Sequence, residues 1–206
     1  MIELCTPISE ETARNLRVGD QVSLSGLVVT GRDRAHKYLV EEFVDSPQPS
    51  PAEAKNLERI EAILRDGVIY HCGPVVREQE AGYSFVAAGP TTSMREEGVQ
   101  DEVIERFGLR AVIGKGGMGE RTLSALQKNG AVYLHAVGGA ATYLARAVEE
   151  VVGVLHLDFG VPEAMWEIRV RGFPAIVTMD STGGSLHREV DAHSELELRR
   201  LLEGIG

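Results

Sequence analysis

Between Gln21 and Gly31 apolar and polar positions alternate, "QVSLSGLVVTG", which is the period of a half-buried strand. The stretch before it, "EETARNLR", has room for one short helix. After it, "RDRAHKYLVEEF" changes to a period near 3.6 and sets Ala35, Leu39, Val40 and Phe43 on one side of a helix. "DSPQPSPAE", residues 45–53, holds three prolines and is predicted to be a loop, because proline removes backbone donors and turns its neighbours away from helix. "AEAKNLERIEAILRDG" follows as an amphipathic helix that Gly67 stops.

From Gly67 onward the pattern settles into a rhythm of apolar run, glycine-rich corner and helix. It runs through "VIYHCGP", "SFVAAGPTTSMREEGVQDEVIERFG", "LRAVIGKGGMGERTLSALQKNG" and "AVYLHAVGGAATYLARAVEEV". Strands and helices alternating at this spacing predict βαβ units around a largely parallel sheet. Then the rhythm breaks. "EAMWEIRVRGFPAIVTMDSTGG" reads as two strands around Arg171 and Gly172, a β-hairpin with Pro174 on an edge. "SELELRRLLEG" closes the chain as a helix. The expected fold class is therefore α/β, one domain over residues 1–206, with a central, partly parallel sheet, flanking helices and an additional hairpin.

Composition narrows the function. With 206 residues, 43% of them hydrophobic, the chain suits one well-packed domain. A net charge of −10 argues against a general binder of nucleic acid or anionic membrane. No apolar run approaches the roughly 18 to 20 residues of a membrane span. "MIELCTPISEE" lacks the basic and apolar regions of a signal peptide, so a cytoplasmic location is expected. Cys5 and Cys72, far apart in sequence, form no disulfide framework and no CxxC pair.

The polar corners carry the candidate chemistry. In open α/β layers ligands bind where strands hand over to helices, and helix N-termini there present free N–H groups to anions. "GPTTS", "GKGGMGE" and "HAVGGAA" are three such corners. "GKGGMG" satisfies G-x-G-x-x-G, yet no acidic residue follows about 20 positions later, so a dinucleotide site is rejected. No P-loop occurs. What remains is a tight turn through Gly114, Gly116 and Gly117 that projects Lys115, either towards an anion or simply into solvent. "TGRDRAHK" places Arg32, Asp33, His36 and Lys37 at a helix start. Cations there oppose the helix dipole, which makes Arg32 misplaced unless it holds something. One hydroxyl suffices to cap a helix, whereas Thr91, Thr92 and Ser93 supply three. The six histidines show no metal-binding spacing, and the aromatics are too few for a nucleic-acid stacking platform.

Taken in order, "LRVGDQVSLSGLVVTGRDRAHK", "IYHCGPVV", "AAGPTTSMRE", "VIGKGGMG" and "EAMWEIRVRGFPAIVTMDSTGGSL" resemble the β subunit of class I, iron–sulfur-dependent fumarases. The same module forms the C-terminal part of single-chain class I fumarases, and the β subunit of L-tartrate dehydratase is similar. The resemblance runs from about Val18 to about Leu186. Arg95 is followed here by Glu96 and Glu97, where relatives usually have methionine and then an acid, and "HAVGGAA" is shorter than in many of them.

The resemblance implies a swivelling β/β/α domain and a reversible hydro-lyase converting (S)-malate to fumarate. It also implies a [4Fe-4S] cluster acting as a Lewis acid, held by a separate cysteine-bearing α subunit, in a dimer of αβ pairs. A cluster of this kind needs at least three thiolates, and this chain has two cysteines, so no metal site is expected here. Malate is a dianion whose deprotonation at C3 adds charge to a carboxylate. Arg32, Arg95 and Lys115 are the expected substrate-binding cations. The resemblance puts the hydroxyl base at Thr91, with Thr92 as rival and as a substrate contact. Asp33, His36 and the three glycines support them. L-tartrate dehydration, or a stand-alone dicarboxylate- or phosphate-binding module, are the alternatives.

Overall fold

The computed structural model describes residues 1–46, 50–80 and 82–203. Part of the proline-rich loop predicted at 45–53 lies outside them. Its end is earlier than expected, because Pro51 is the first helical residue, where a missing N–H costs nothing.

The strands are β1 (Ile2–Cys5), β2 (Gln21–Thr30), β3 (Val68–Tyr70), β4 (Val75–Gln79), β5 (Gly82–Ala87), β6 (Ala111–Gly114), β7 (Val132–His135), β8 (Val148–Leu155) and β9 (Met165–Met179). The helices are α1 (Glu10–Asn15), α2 (Asp33–Phe43), α3 (Pro51–Leu64), α4 (Gln100–Phe107), α5 (Glu120–Asn129), α6 (Ala141–Ala145) and α7 (Leu186–Glu203). No helix among the described residues is long and apolar enough to cross a membrane.

Seven strands form one sheet in the order β1-β2-β3-β6-β7-β9-β8. The pairings from β1 to β7 are parallel, as the βα rhythm requires. β9 runs antiparallel to β7 and also to β2, so β2, β3, β6, β7 and β9 close into a ring. The central strands are buried on both sides and split their side chains by the period of two. Val68, Tyr70, Ala111, Ile113, Val132 and Leu134 join one apolar cluster around Trp166 and Phe173. Ile69, Val112 and Tyr133 face the other, packed under α2, α4 and α5. The mixed α/β class with a central sheet, flanking helices and an extra hairpin is what the sequence led us to expect.

Four expectations are corrected. Residues 165–179 are one fifteen-residue strand rather than two; Gly172, at φ 62°, bends it without ending it. Pro174 sits where β9 has passed β8 and not yet met β7. Val177 turns its N–H to Asp20 O on the β2 side, so the Pro174 nitrogen faces that unpaired gap. The hairpin is instead β4–β5, which means that "SFVAAG" leads into the GPTTS corner from outside the main sheet. The helix after "HAVGG" ends at Ala145, and its expected continuation is β8, where β-branched valines favour the extended backbone. The closing helix starts eight residues early, at Leu186.

Candidate functional site

Residues 88–93 cross the carboxyl ends of the parallel strands like a short extra strand. Thr91 N–H donates to His71 O just past β3, at 2.7 Å, and Ser93 N–H donates to Lys115 O just past β6, at 3.1 Å. Lys115 N–H in turn reaches Thr91 O, so Thr92 and Lys115 are bridge partners. The neighbouring corner after β7 joins the same edge. Ala136 N–H donates to Gly114 O, and Gly138 lies against the Lys115 side chain. Gly114 is required by this crossing: a Cβ there would overlap Ser93 Oγ and press on the Tyr133 hydroxyl. Gly116 and Gly117 adopt φ of 82° and 74°, which L side chains rarely adopt, and a Cβ on Gly117 would run into the His187 ring.

The structure brings Arg32, Thr91, Arg95 and Lys115 to one edge. Arg95 Nη2 donates to Thr91 Oγ1 at 3.1 Å and to Asp33 Oδ2 at 2.8 Å. Asp33 Oδ2 is 3.8 Å from Arg32 Nη2, and Arg32 Nε lies 3.3 Å from Glu163 Oε1. Arg32 therefore does hold something at its helix start, namely Glu163. It is only 24% exposed, packed along Gly73, where a Cβ would meet its guanidinium. Thr91 is half-buried and Thr92 is exposed. The Lys115 ammonium pairs with no carboxylate among the described residues. The three hydroxyls are not caps: Thr91 receives Arg95, Thr92 makes no side-chain cap bond, and Ser93 is buried.

The start of α5, expected as an anion site behind "GKGGMGE", and the start of α2 are both met by the protein's own carboxylates. Glu97 reaches across to α5 and accepts from Gly119 N–H at 2.8 Å, Arg121 N–H at 3.0 Å and the Thr122 hydroxyl at 2.6 Å. Glu163 Oε2 accepts from Arg34 N–H at the start of α2. At α5 and α2 an added anion would therefore have to be met by side-chain cations, since the donors just named are occupied.

Beneath the edge, Glu96 is almost wholly buried, 3.8 Å from His36 Nδ1, and burial, with Asp33 and Glu163 nearby, pushes its carboxyl up to about 7. His36 is buried, with its Nδ1 3.0 Å from Arg32 O, and burial holds its imidazole below the ordinary value. The two glutamates after Arg95 have distinct positions: one sits under the arginines, the other fixes the glycine corner. Glu96, Glu97, Glu163, His71 and Gln100 went unread in the sequence because each meets its partner across tens of residues. Only Glu96, where the related pattern has methionine, stood out in the sequence.

The site is an open edge. Arg95 borders a groove of about 360 Å³ with Asp33 and Glu96. A larger concavity of about 520 Å³ lies between Thr6, Pro7 and the end of α3 and gathers no comparable cations, so the convergent side chains define the site better than depth does. For a metal cluster the donors do not fit. Cys5 is exposed, Cys72 is buried with its thiol pushed up to about 12, and no group of three metal-ligating side chains occurs among the described residues.

Comparison with known proteins gives the chain a family. Residues 1–190 match the family described as Fumarase C-terminus. The whole chain is 48% identical to part of a Geobacillus stearothermophilus protein provisionally named class I fumarate hydratase, and spans 37% of that protein's length. It is 37% identical to a Methanocaldococcus jannaschii protein provisionally named L(+)-tartrate dehydratase subunit beta, covering 95% of each chain. It is 38% identical to the L(+)-tartrate dehydratase subunit beta of Escherichia coli K12, over 90% of this chain and 86% of that one.

Proposed function

The chain belongs to the fumarase C-terminus family, and on that premise we propose that it is the β-type module of a hydro-lyase that dehydrates (S)-malate to fumarate, reversibly, together with a cysteine-bearing α partner. Residues 1–206 act as one module, and the [4Fe-4S] cluster of the complete enzyme belongs to the partner, since the donors here cannot hold it. L-tartrate is the second substrate reading, favoured by relatives of this chain's own length. The pairs further associate as dimers.

The observation that carries the proposal is Arg95 bonded to Thr91 beside Lys115 and Arg32. Arg95 uses one Nη2 hydrogen on Asp33 and the other on Thr91, which fixes its plane. A guanidinium donating to the Thr91 hydroxyl stabilises the alkoxide form that a base requires. Thr91 Oγ then takes the proton from C3, and the C–H electron pair spreads onto the adjacent carboxylate. Lys115, Arg32 and the remaining Arg95 donors meet that charge. As the C2–O bond breaks, the pair forms the double bond, and the leaving hydroxyl departs as water after taking the proton that Thr91 first gave to the partner's carboxylate. The Thr91 hydroxyl's own proton passes to a carboxylate of the partner. Thr92, exposed and without Arg95, lacks the activating contact and serves the substrate instead.

The test is steady-state kinetics of the chain alone and of the reconstituted pair with malate, fumarate and each tartrate isomer. The proposal expects turnover only by the pair, with malate and fumarate preferred. Preference for L-tartrate moves the assignment to the second reading, and robust turnover by the chain alone contradicts both.

A further inference from the structure

Beneath the Arg32 and Thr91 corners lies a buried polar chain that the mechanism does not use. His36 and His71 are wholly buried, edge to face, with ring centroids 5.0 Å apart. Between them stands Gln100, the first residue of α4, also wholly buried. The Gln100 amide oxygen, Oε1, lies 2.9 Å from His36 Nε2 and 2.7 Å from His71 Nε2. The other ring nitrogens point to the two corners. His36 Nδ1 faces Arg32 O at 3.0 Å, and His71 Nδ1 faces Ser93 Oγ at 2.8 Å, to which the Tyr133 hydroxyl also donates.

Donor counting fixes the protons. A neutral imidazole has one donor and one acceptor, and a carbonyl oxygen only accepts. His36 must therefore carry its proton on Nδ1, leaving Nε2 as an acceptor, so the amide atom facing it must be nitrogen. The orientation in the structure sets the amide oxygen against Nε2 instead. That demands a buried imidazolium at His36 and leaves the amide nitrogen without a partner, whereas turning the amide leaves its oxygen in that place and removes the buried charge. Turned inward, the NH₂ group has two hydrogens for two imidazole acceptors, and His71 then donates from Nδ1 to Ser93. The charged groups facing this chain are Glu96, Asp33 and Glu163 around His36, and Arg95 near His71. Burial outweighs them and holds both imidazoles low, His71 well below its ordinary value.

We propose that Gln100 is a positioning residue: its NH₂ group donates to both imidazoles, holding His36 and His71 as neutral Nδ1–H tautomers that fasten the Arg32 and Ser93 corners in register. The inference deepens the function proposed above, because the corners so joined carry Arg32 on one side and Thr91 and Arg95 on the other.

The deciding experiment is nitrogen NMR of the ¹⁵N-histidine-labelled full chain. It expects both rings neutral with the proton on Nδ1, unchanged from about pH 5.5 to 8.5, across the usual imidazole range. An Nε2–H tautomer or an imidazolium at either ring overturns the proposal, and no variant has to fold for that reading. In Gln100→Glu the carboxylate only accepts, so His36 is expected to become an imidazolium. In the reconstituted pair, Gln100→Met is expected to lower kcat about 10- to 100-fold with KM changed less than about threefold, the cost of a misplaced group. Full kcat in that variant overturns the positioning role. Failure of the wild-type pair to turn over any of the substrates would count against the function and leave the tautomers to decide this inference.

Discussion

Glu96 is a carboxyl that folding keeps protonated, its value moved from 4.5 to about 7 by burial beside Asp33. Between those two values only the folded chain binds the proton, so stability falls as pH rises through that window, the reverse of a paired carboxylate. His36 and His71 act oppositely. Held neutral, they lower stability as pH falls through the imidazole range. Glu96→Gln keeps the neutral shape, so its stability relative to wild type should grow from pH 4.5 to about 7 and then level off. The plateau is on the order of 1–3 kcal/mol, read by urea denaturation across pH; a difference constant with pH contradicts the cause given. Gly114→Ala drives a methyl into Ser93 Oγ. It should lose about 1–3 kcal/mol in the same measurement and loosen the Thr91 corner. The cations were legible because arginine and lysine in glycine-rich corners stand out against an acidic chain. Gln100 was not, since a glutamine opening an amphipathic helix looks solvated until His36, 64 residues away, is seen beside it.

At the scale of elements, α5 opens without a capping side chain of its own, and Glu97, 22 residues before its Gly119 partner, supplies the cap. Glu97→Ala should lower stability by about 1–2 kcal/mol by thermal melting, the usual worth of a cap. It should also cut turnover of the reconstituted pair, since the same contact anchors the corner that carries Lys115. Unchanged stability would mean that the cap contributes nothing. Periodicity identified α2 and α3 because one face of each is apolar and their ends carry serine, proline or glycine signals. It failed at β8, where "VEEVVGVL" fits a helix face as readily as a strand and only pairing with β9 decides. It failed also at β9: Arg171-Gly172 looks like a hairpin turn until β2 is seen alongside most of the strand.

For the whole molecule, alternating burial across β3, β6 and β7 was readable as short apolar runs, whereas ring closure by β9 onto β2 was not, because it depends on pairing between distant segments. Parallel pairing sets the carboxyl ends of β2, β3, β6 and β7 along one edge, and a chain of net charge −10 gathers three cations there. That edge lies open, which suits a site finished by a second polypeptide. The most direct measurement is kcat of the reconstituted pair carrying Thr91→Ala, set against Thr92→Ala, with malate and L-tartrate as substrates. Loss of the base at Thr91 should lower kcat about 10²- to 10⁴-fold, the range of a positioned proton acceptor, while Thr92→Ala stays within about tenfold of wild type. Near-normal turnover by the Thr91→Ala pair would contradict the account.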